Sequence, residues 1–210
     1  SGGTAFSTTF GVHGLRIVAG TGHKIYHNSI NMSGTLFGTA ASSHLTSAFA
    51  VSATSLTGID VRNNAFANTM TGGTTSIAHV SMFLPTSGTS AMNLTLNNNN
   101  YHTGSTAGVH GVAHVGTTYT AVPAGPTTYA GLYTTAAFDP ANTTPTSNLR
   151  AYTSTLSASG TNDNASKKDD PLFVSSTDLH IQSSSTMESA GTNAGVTTDI
   201  DGDSRGATPD

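Results

Sequence analysis

Apolar and polar residues alternate in short runs over the first hundred residues, and the runs recur. "HKIYHNSI" from His23, "IDVRNNAF" from Ile59 and "LTLNNNNY" from Leu94 superpose. Each supplies an alternating pair (His23/Ile25, Ile59/Val61, Leu94/Leu96), then a polar pair (His27-Asn28, Asn63-Asn64, Asn98-Asn99), then one larger apolar residue (Ile30, Phe66, Tyr101). The spacing is 36 and then 35 residues. A further strand-like run precedes each: "GLRIV" from Gly14, "AFAV" from Ala48 and "VSMFL" from Val80. A turn rich in Gly, Ser and Thr follows each. Alternation with period two between Gly and Asn corners predicts strands, and none of these runs has a helical period. The unit is strand, turn, strand, asparagine-bearing corner, turn.

A repeat of this length built from short strands predicts a solenoid, whose coils bury their inward side chains against the coils above and below. Asn28, Asn63, Asn64, Asn98 and Asn99 would then stack at one corner, where a ladder of amides satisfies its own hydrogen bonds and those of the bend. After Tyr101 the repeat fades. Residues 105–147 are rich in Thr, Ala, Gly and Pro, with "VPAGP" and "FDPANTTPT" as breakers. "SNLRAYTSTL" predicts one short helix with Ser147 or Asn148 as N-cap. "DDPLFVSSTDLHIQSSS" from Asp169 predicts a return to strand, with Leu179 and Ile181 alternating. The expected fold is therefore all-β: a parallel β-helix over 1–165 with a loop region at about 105–147, and a closing segment over 166–210 of the same domain.

Composition narrows the partners. Charged residues are 9% of the 210, against roughly a quarter in an ordinary domain. Ser, Thr, Asn, Gly and Ala replace them, which points to an extracellular or fibrous β protein. Net charge is −4 with seven Lys and Arg, so no basic stripe exists to neutralise phosphates, and nucleic acid and anionic membranes drop out as partners. There is no cysteine, hence no disulfide framework or thiolate chemistry. No apolar window is long enough to span a membrane.

Candidate chemistry is sparse. A uronate lyase needs a base beside cations, and the seven cationic residues are scattered singly along the chain. A glycosidase needs two carboxylates across a groove, and Asp60 is the only carboxylate before residue 139. His110 and His114 lie four apart in "GVHGVAHVG" and would share one face of a strand, but a third metal ligand is not identified; the plainer reading has them replacing Asn or Thr on a polar face. Four Asn-x-Ser/Thr sites, at Asn31, Asn93, Asn142 and Asn164, are expected by chance in such a composition. Asp199, Asp201 and Asp203 match the first three ligands of a calcium loop and Asp210 falls at the twelfth, yet Ser204 stands where the loop needs Gly. The competing reading is an Asp-Gly turn whose carboxylates, Asp201 among them, receive Arg205 and nearby N–H groups as a terminal clasp. No cofactor is expected other than calcium at this cluster.

Residues 162–210 resemble the C-terminal part of right-handed parallel β-helix proteins secreted by bacteria, related in fold to pectate lyases. The resemblance rests on Asp170-Pro171-Leu172-Phe173, Asp178-Leu179-His180-Ile181, Ser183–Ser185, Ala190-Gly191 and the Asp-x-Asp-Gly-x-x-Arg-x-x-x-Pro-Asp run ending at Asp210. It implies a right-handed coil, a secreted or cell-surface location, and a chain that is a piece of a longer surface protein. The expected role is structural or adhesive and not catalytic, with self-association or a cell-surface glycan as partner. The alternative is a carbohydrate-binding or polysaccharide-degrading module, for which two exposed tyrosines among Tyr119, Tyr129, Tyr133 and Tyr152 beside a carboxylate would speak.

Overall fold

The computed structural model describes residues 11–36, 44–73, 77–116, 129–139 and 145–210. Tyr119, Asn142 and the "VPAGP" breaker lie outside them. The described residues are mostly β with a single α-helix. A first repeat supplies β1 (Val12–Ile17), β2 (Lys24–Tyr26), β3 (Ser29–Met32) and β4 (Thr35–Leu36), and a second supplies β5 (His44–Val51), β6 (Asp60–Arg62), β7 (Ala65–Asn68) and β8 (Thr71–Gly72). A third supplies β9 (Ile77–Leu84), β10 (Thr95–Asn97) and β11 (Asn100–Thr103). Then come β12 (His110–Val115), β13 (Gly131–Tyr133) and α1 (Leu149–Thr155), whose N-cap is Asn148, its side chain accepting from the Arg150 N–H.

Equivalent strands pair in parallel across repeats, forming separate sheets in the orders β1-β5-β9-β12-β13, β10-β6-β2, β11-β7-β3 and β4-β8. In the first, Val12 faces Thr46 and Thr46 faces His79. In the second, Lys24, Asp60 and Thr95 are in register, and in the third Ser29, Ala65 and Asn100. Among the strands of the described residues, only β13 runs antiparallel to its neighbour.

Where the alternation predicts two strands per repeat, the first two repeats hold four and the third holds three. The polar pair does not end a strand but breaks it in two, because its first residue takes the left-handed conformation: φ is 55° at His27, 59° at Asn63 and 54° at Asn98. Asn tolerates that region better than most side chains, its short amide bonding locally. The chain therefore turns within two residues, and Ile30, Phe66 and Tyr101 fall on a new strand in register with one another.

These three residues form one wall of the core. Phe66 stacks on Phe49 of β5 at 5.0 Å between ring centroids and lies 6.3 Å from Tyr101, whose ring meets Phe138 edge-on at 5.7 Å. Ile25, Val61 and Leu96 form a second buried column. β9 is buried on both faces, and six of the eight residues of "IAHVSMFL" are apolar: one face joins the main core, and Ala78, Val80 and Phe83 join a smaller cluster with Leu45, Ala50 and Leu132. The region expected as strand at 172–181 is instead a loop pinned by a single antiparallel bridge between Phe173 and Ile181.

Candidate functional site

The second residue of each polar pair builds a directional column. The Asn28 backbone N–H and its Nδ2 both donate to Asn64 Oδ1, at 3.0 and 2.9 Å, and the Asn64 N–H and Nδ2 both donate to Asn99 Oδ1, at 3.2 and 2.9 Å. Each Nδ2 has a second acceptor that fixes which way the amide points: Tyr26 O for Asn28, Arg62 O and Ile25 O for Asn64, Val61 O for Asn99. The column ends on different chemistry. The Asn99 N–H donates to Ser166 Oγ, and its Nδ2 donates to Tyr101 Oη. Both hydroxyls then donate to Asp163 Oδ1, at 2.8 Å from Tyr101 and 2.7 Å from Ser166.

Asp163 is 1% exposed, and burial pushes its carboxyl up to about 6. The Tyr101 phenol is driven well above its ordinary value by the same burial and by the neighbouring carboxylate. The sequence reading missed Asp163, Asn162 and Ser166. The signal available was "NDNAS", a polar cluster that could have been the fourth corner. Asn162 acts like a ladder residue: its Oδ1 accepts from Leu96 N and its Nδ2 donates to Leu94 O and Thr153 O. Asn68 was missed too. Fully buried, it donates to Thr46 O, Thr46 Oγ1 and Val80 O, tying the end of β7 to β5 and β9.

The first residue of each pair faces outward, and the C-terminal segment docks there. Asn63 Nδ2 donates to Thr192 O at 2.6 Å, Thr192 N donates to Asn63 Oδ1 at 2.9 Å, and Asn98 Nδ2 donates to Ala190 O at 2.9 Å. A Cβ on Gly191 would come within 2.3 Å of Pro209 O, so only glycine lets the two stretches of this segment meet here. Asn63→Gly keeps the left-handed turn while removing the amide. It is expected to weaken docking by about 1–3 kcal/mol and to speed cleavage of the segment in limited proteolysis, with the rest of the chain unaffected.

The expected terminal clasp takes a different form. Arg205 Nε donates to Thr198 O and its Nη1 to Asp210 O, so the guanidinium holds main-chain oxygens and not the side chain of Asp201. Asp199 Oδ1 accepts from the N–H groups of Asp201 and Asp203, which closes the Asp-Gly turn locally. Asp201 instead meets His180 Nε2 at 2.9 Å, while Asp178 meets His180 Nδ1 at 2.5 Å. Hydrogen bonds to Asp201 and then Asp178 raise the exposed imidazole to about 9, and the His180 bond holds Asp178 below its usual value. His180 is therefore expected to stay protonated at pH 8 in an NMR titration; a midpoint near the ordinary 6.5 would show that the bridge does not form. Its contribution to holding the loop is present below pH 6.5 and lost as pH rises through about 9. Among the described residues, no group of three His, Asp or Glu side chains is arranged to hold a metal ion.

His110 and His114, expected on one face of a strand, meet different surroundings: His110 lies 5.4 Å from the His79 ring and His114 stacks on Phe83. His110 Nε2 contacts Met70 O and its Nδ1 accepts from Thr106 N, while His114 Nδ1 contacts Gly116 O. Asp60 accepts from Tyr26 and from Arg62, whose guanidinium lies 5.1 Å over the Tyr26 ring, so this carboxylate is engaged on the outer surface. Tyr133 and Tyr152 are buried, and Tyr129 packs on Tyr152 at 4.9 Å. A cleft of about 480 Å³ runs between the outward residues Asn31, Ala67 and His102 of β3, β7 and β11 and the arm carrying Pro171 and Phe173. Among the described residues, no helix is long and apolar enough to cross a membrane. Compared with protein-family models, curated proteins and solved structures, the chain has no match.

Proposed function

We propose that this chain is a non-catalytic structural or adhesive module of a secreted surface protein, wound as a right-handed parallel β-helix. The observation that carries the reading is the column Asn28–Asn64–Asn99 at one corner of strands that pair in parallel from repeat to repeat. Such a column locks successive coils in register and suits a rod that spaces or displays other parts. Several described carboxylates support a non-catalytic role: Asp60 is bound by Arg62, Asp163 lies in the interior, Asp170 and Asp199 accept from nearby backbone N–H groups, and Asp178 and Asp201 bridge His180. The test is to incubate the protein with pectate, alginate, xylan and chitin and follow both reducing ends and unsaturated uronate absorbance. No product is expected, and native material should appear as rods by electron microscopy. Turnover of any of these polymers would overturn the reading.

One observation favours a second reading. The cleft between His102, Asn31 and Phe173 offers hydroxyl and amide partners beside an aromatic ring, which suits a neutral saccharide. Binding without turnover, abolished by Phe173→Ala, would move the module from spacing toward glycan adhesion.

A further inference from the structure

The two ends of the stack are chemically unlike. At the far end the third repeat is covered. Leu94 N donates to Leu156 O, Asp163 N to Leu96 O, Lys167 N to Asn99 O and Tyr101 N to Lys167 O, while β12 is paired with β13. At the near end, β1, β2 and β3 are each the last strand of their sheet among the described residues. Behind them lie Leu15, Ile30 and Met32, only partly buried against the core, and Val12 and Val18 are 43% and 59% exposed.

The amide column gives this open end a polarity. In both rungs, Asn28 to Asn64 and Asn64 to Asn99, the lower-numbered repeat supplies the N–H donors and the next supplies the oxygen. Asn28 Nδ2 is committed to Tyr26 O and Asn64 Oδ1, so the group it presents outward is Oδ1, which accepts from no described residue. A second copy meeting this end face to face would set Asn28 Oδ1 against Asn28 Oδ1, acceptor against acceptor. A second copy meeting it tail-first would bring a far end whose N–H and C=O groups are already bonded. Neither copy fits.

Resting on the parallel β-helix reading, we propose that the β1–β3 end is a growth face. It is shaped for one further coil of the same winding sense, supplied by polypeptide on the amino-terminal side of β1, with an asparagine at its corner donating N–H and Nδ2 to Asn28 Oδ1. Continuity of three parallel ladders and the amide column together select this occupant.

Two grafts test it. In one, a copy of residues 44–76 replaces residues 1–9; in the other, a copy of residues 10–43 does so. Each places a whole repeat ahead of Phe10 in the register of the existing pairs. Hydrogen exchange of the β2 and β3 amides facing the open end is expected to slow about a hundredfold or more in at least one graft. Changing the corner asparagine to alanine in the grafted copy only (Asn64 in the first graft, Asn28 in the second) should return at least roughly tenfold of that gain. The unmodified chain should be monomeric by light scattering. Unchanged exchange at β2 and β3, loss of core protection in both grafts, or a dimer of the unmodified chain held through β1 would each overturn the growth face. The module reading fails separately: it falls if β5, β7 and β9 of the unmodified chain show no slow amides.

Discussion

Asn64→Ala should cost about 3–5 kcal/mol, more than any other single change of a polar side chain in the stack, as read by chemical denaturation. The estimate follows from the number of partners stranded at about 1–3 kcal/mol each, discounted for relaxation. Asn64 Oδ1 accepts from Asn28 N and Nδ2, and its Nδ2 donates to Asn99 Oδ1, Arg62 O and Ile25 O. The side chain is fully buried, so water does not readily replace it. Asn64→Asp, which keeps the oxygen and loses the donors, should destabilise comparably, since the new carboxylate would face Asn99 Oδ1 and two carbonyls. A loss below about 1 kcal/mol for alanine would mean that the column follows from the fold without helping to hold it.

Asp163→Asn should stabilise the protein at pH 7.5 and remove part of its pH dependence. The sign follows from the carboxyl being raised to about 6 by burial, above its ordinary 3.8. The folded state favours the protonated form, so this group's contribution is fully present below pH 3.8 and is lost as pH rises through about 6. A shift of this size corresponds to roughly 3 kcal/mol between the two ends of that window. The groups facing the carboxylate are the Tyr101 and Ser166 hydroxyls, Thr153 and the Arg150 charge. Asparagine keeps the oxygen that Tyr101 and Ser166 address, carries no charge, and suits the left-handed φ of 54° at this position. His27 and His79 have lowered values, chiefly from burial, so their contributions fall as the pH falls and oppose the Asp163 trend. The measurement is therefore the difference in melting temperature between Asp163→Asn and the parent from pH 4 to pH 8. That difference should grow with pH and level off above about pH 7; a flat difference would show that Asp163 is ionised throughout without penalty.

How much of this was legible depended on whether a residue's role is local or long-range. The repeat was visible because Ile25, Val61 and Leu96 must all be apolar to fill one column, and Asn28, Asn64 and Asn99 must all carry amides to join one another. The division of labour within each polar pair was not visible, because left-handed φ is a backbone property that His27 and Asn63 share despite different side chains. The third strand of each repeat was hidden for the same reason. Asp163 escaped notice because its environment is built from Tyr101, Ser166 and the end of the column, and no spacing in "NDNAS" announces that they converge. In the terminal loop, Asp199, Asp201 and Arg205 stood close in sequence and suggested one device. Folding divides them: Asp199 with the turn, Asp201 with His180, Arg205 with main-chain oxygens.

The uneven length of the repeats has a consequence for how such a chain can vary. Val12, Thr46 and His79 occupy one register position, yet the corner asparagines Asn28, Asn64 and Asn99 follow 16, 18 and 20 residues later. Residues gained in that interval leave the alignment of the repeats unchanged, because the corner re-indexes each one. Insertions and deletions before the corner are therefore expected to be nearly neutral, and new loops, with whatever surface they carry, can accumulate there while the paired strands keep their register.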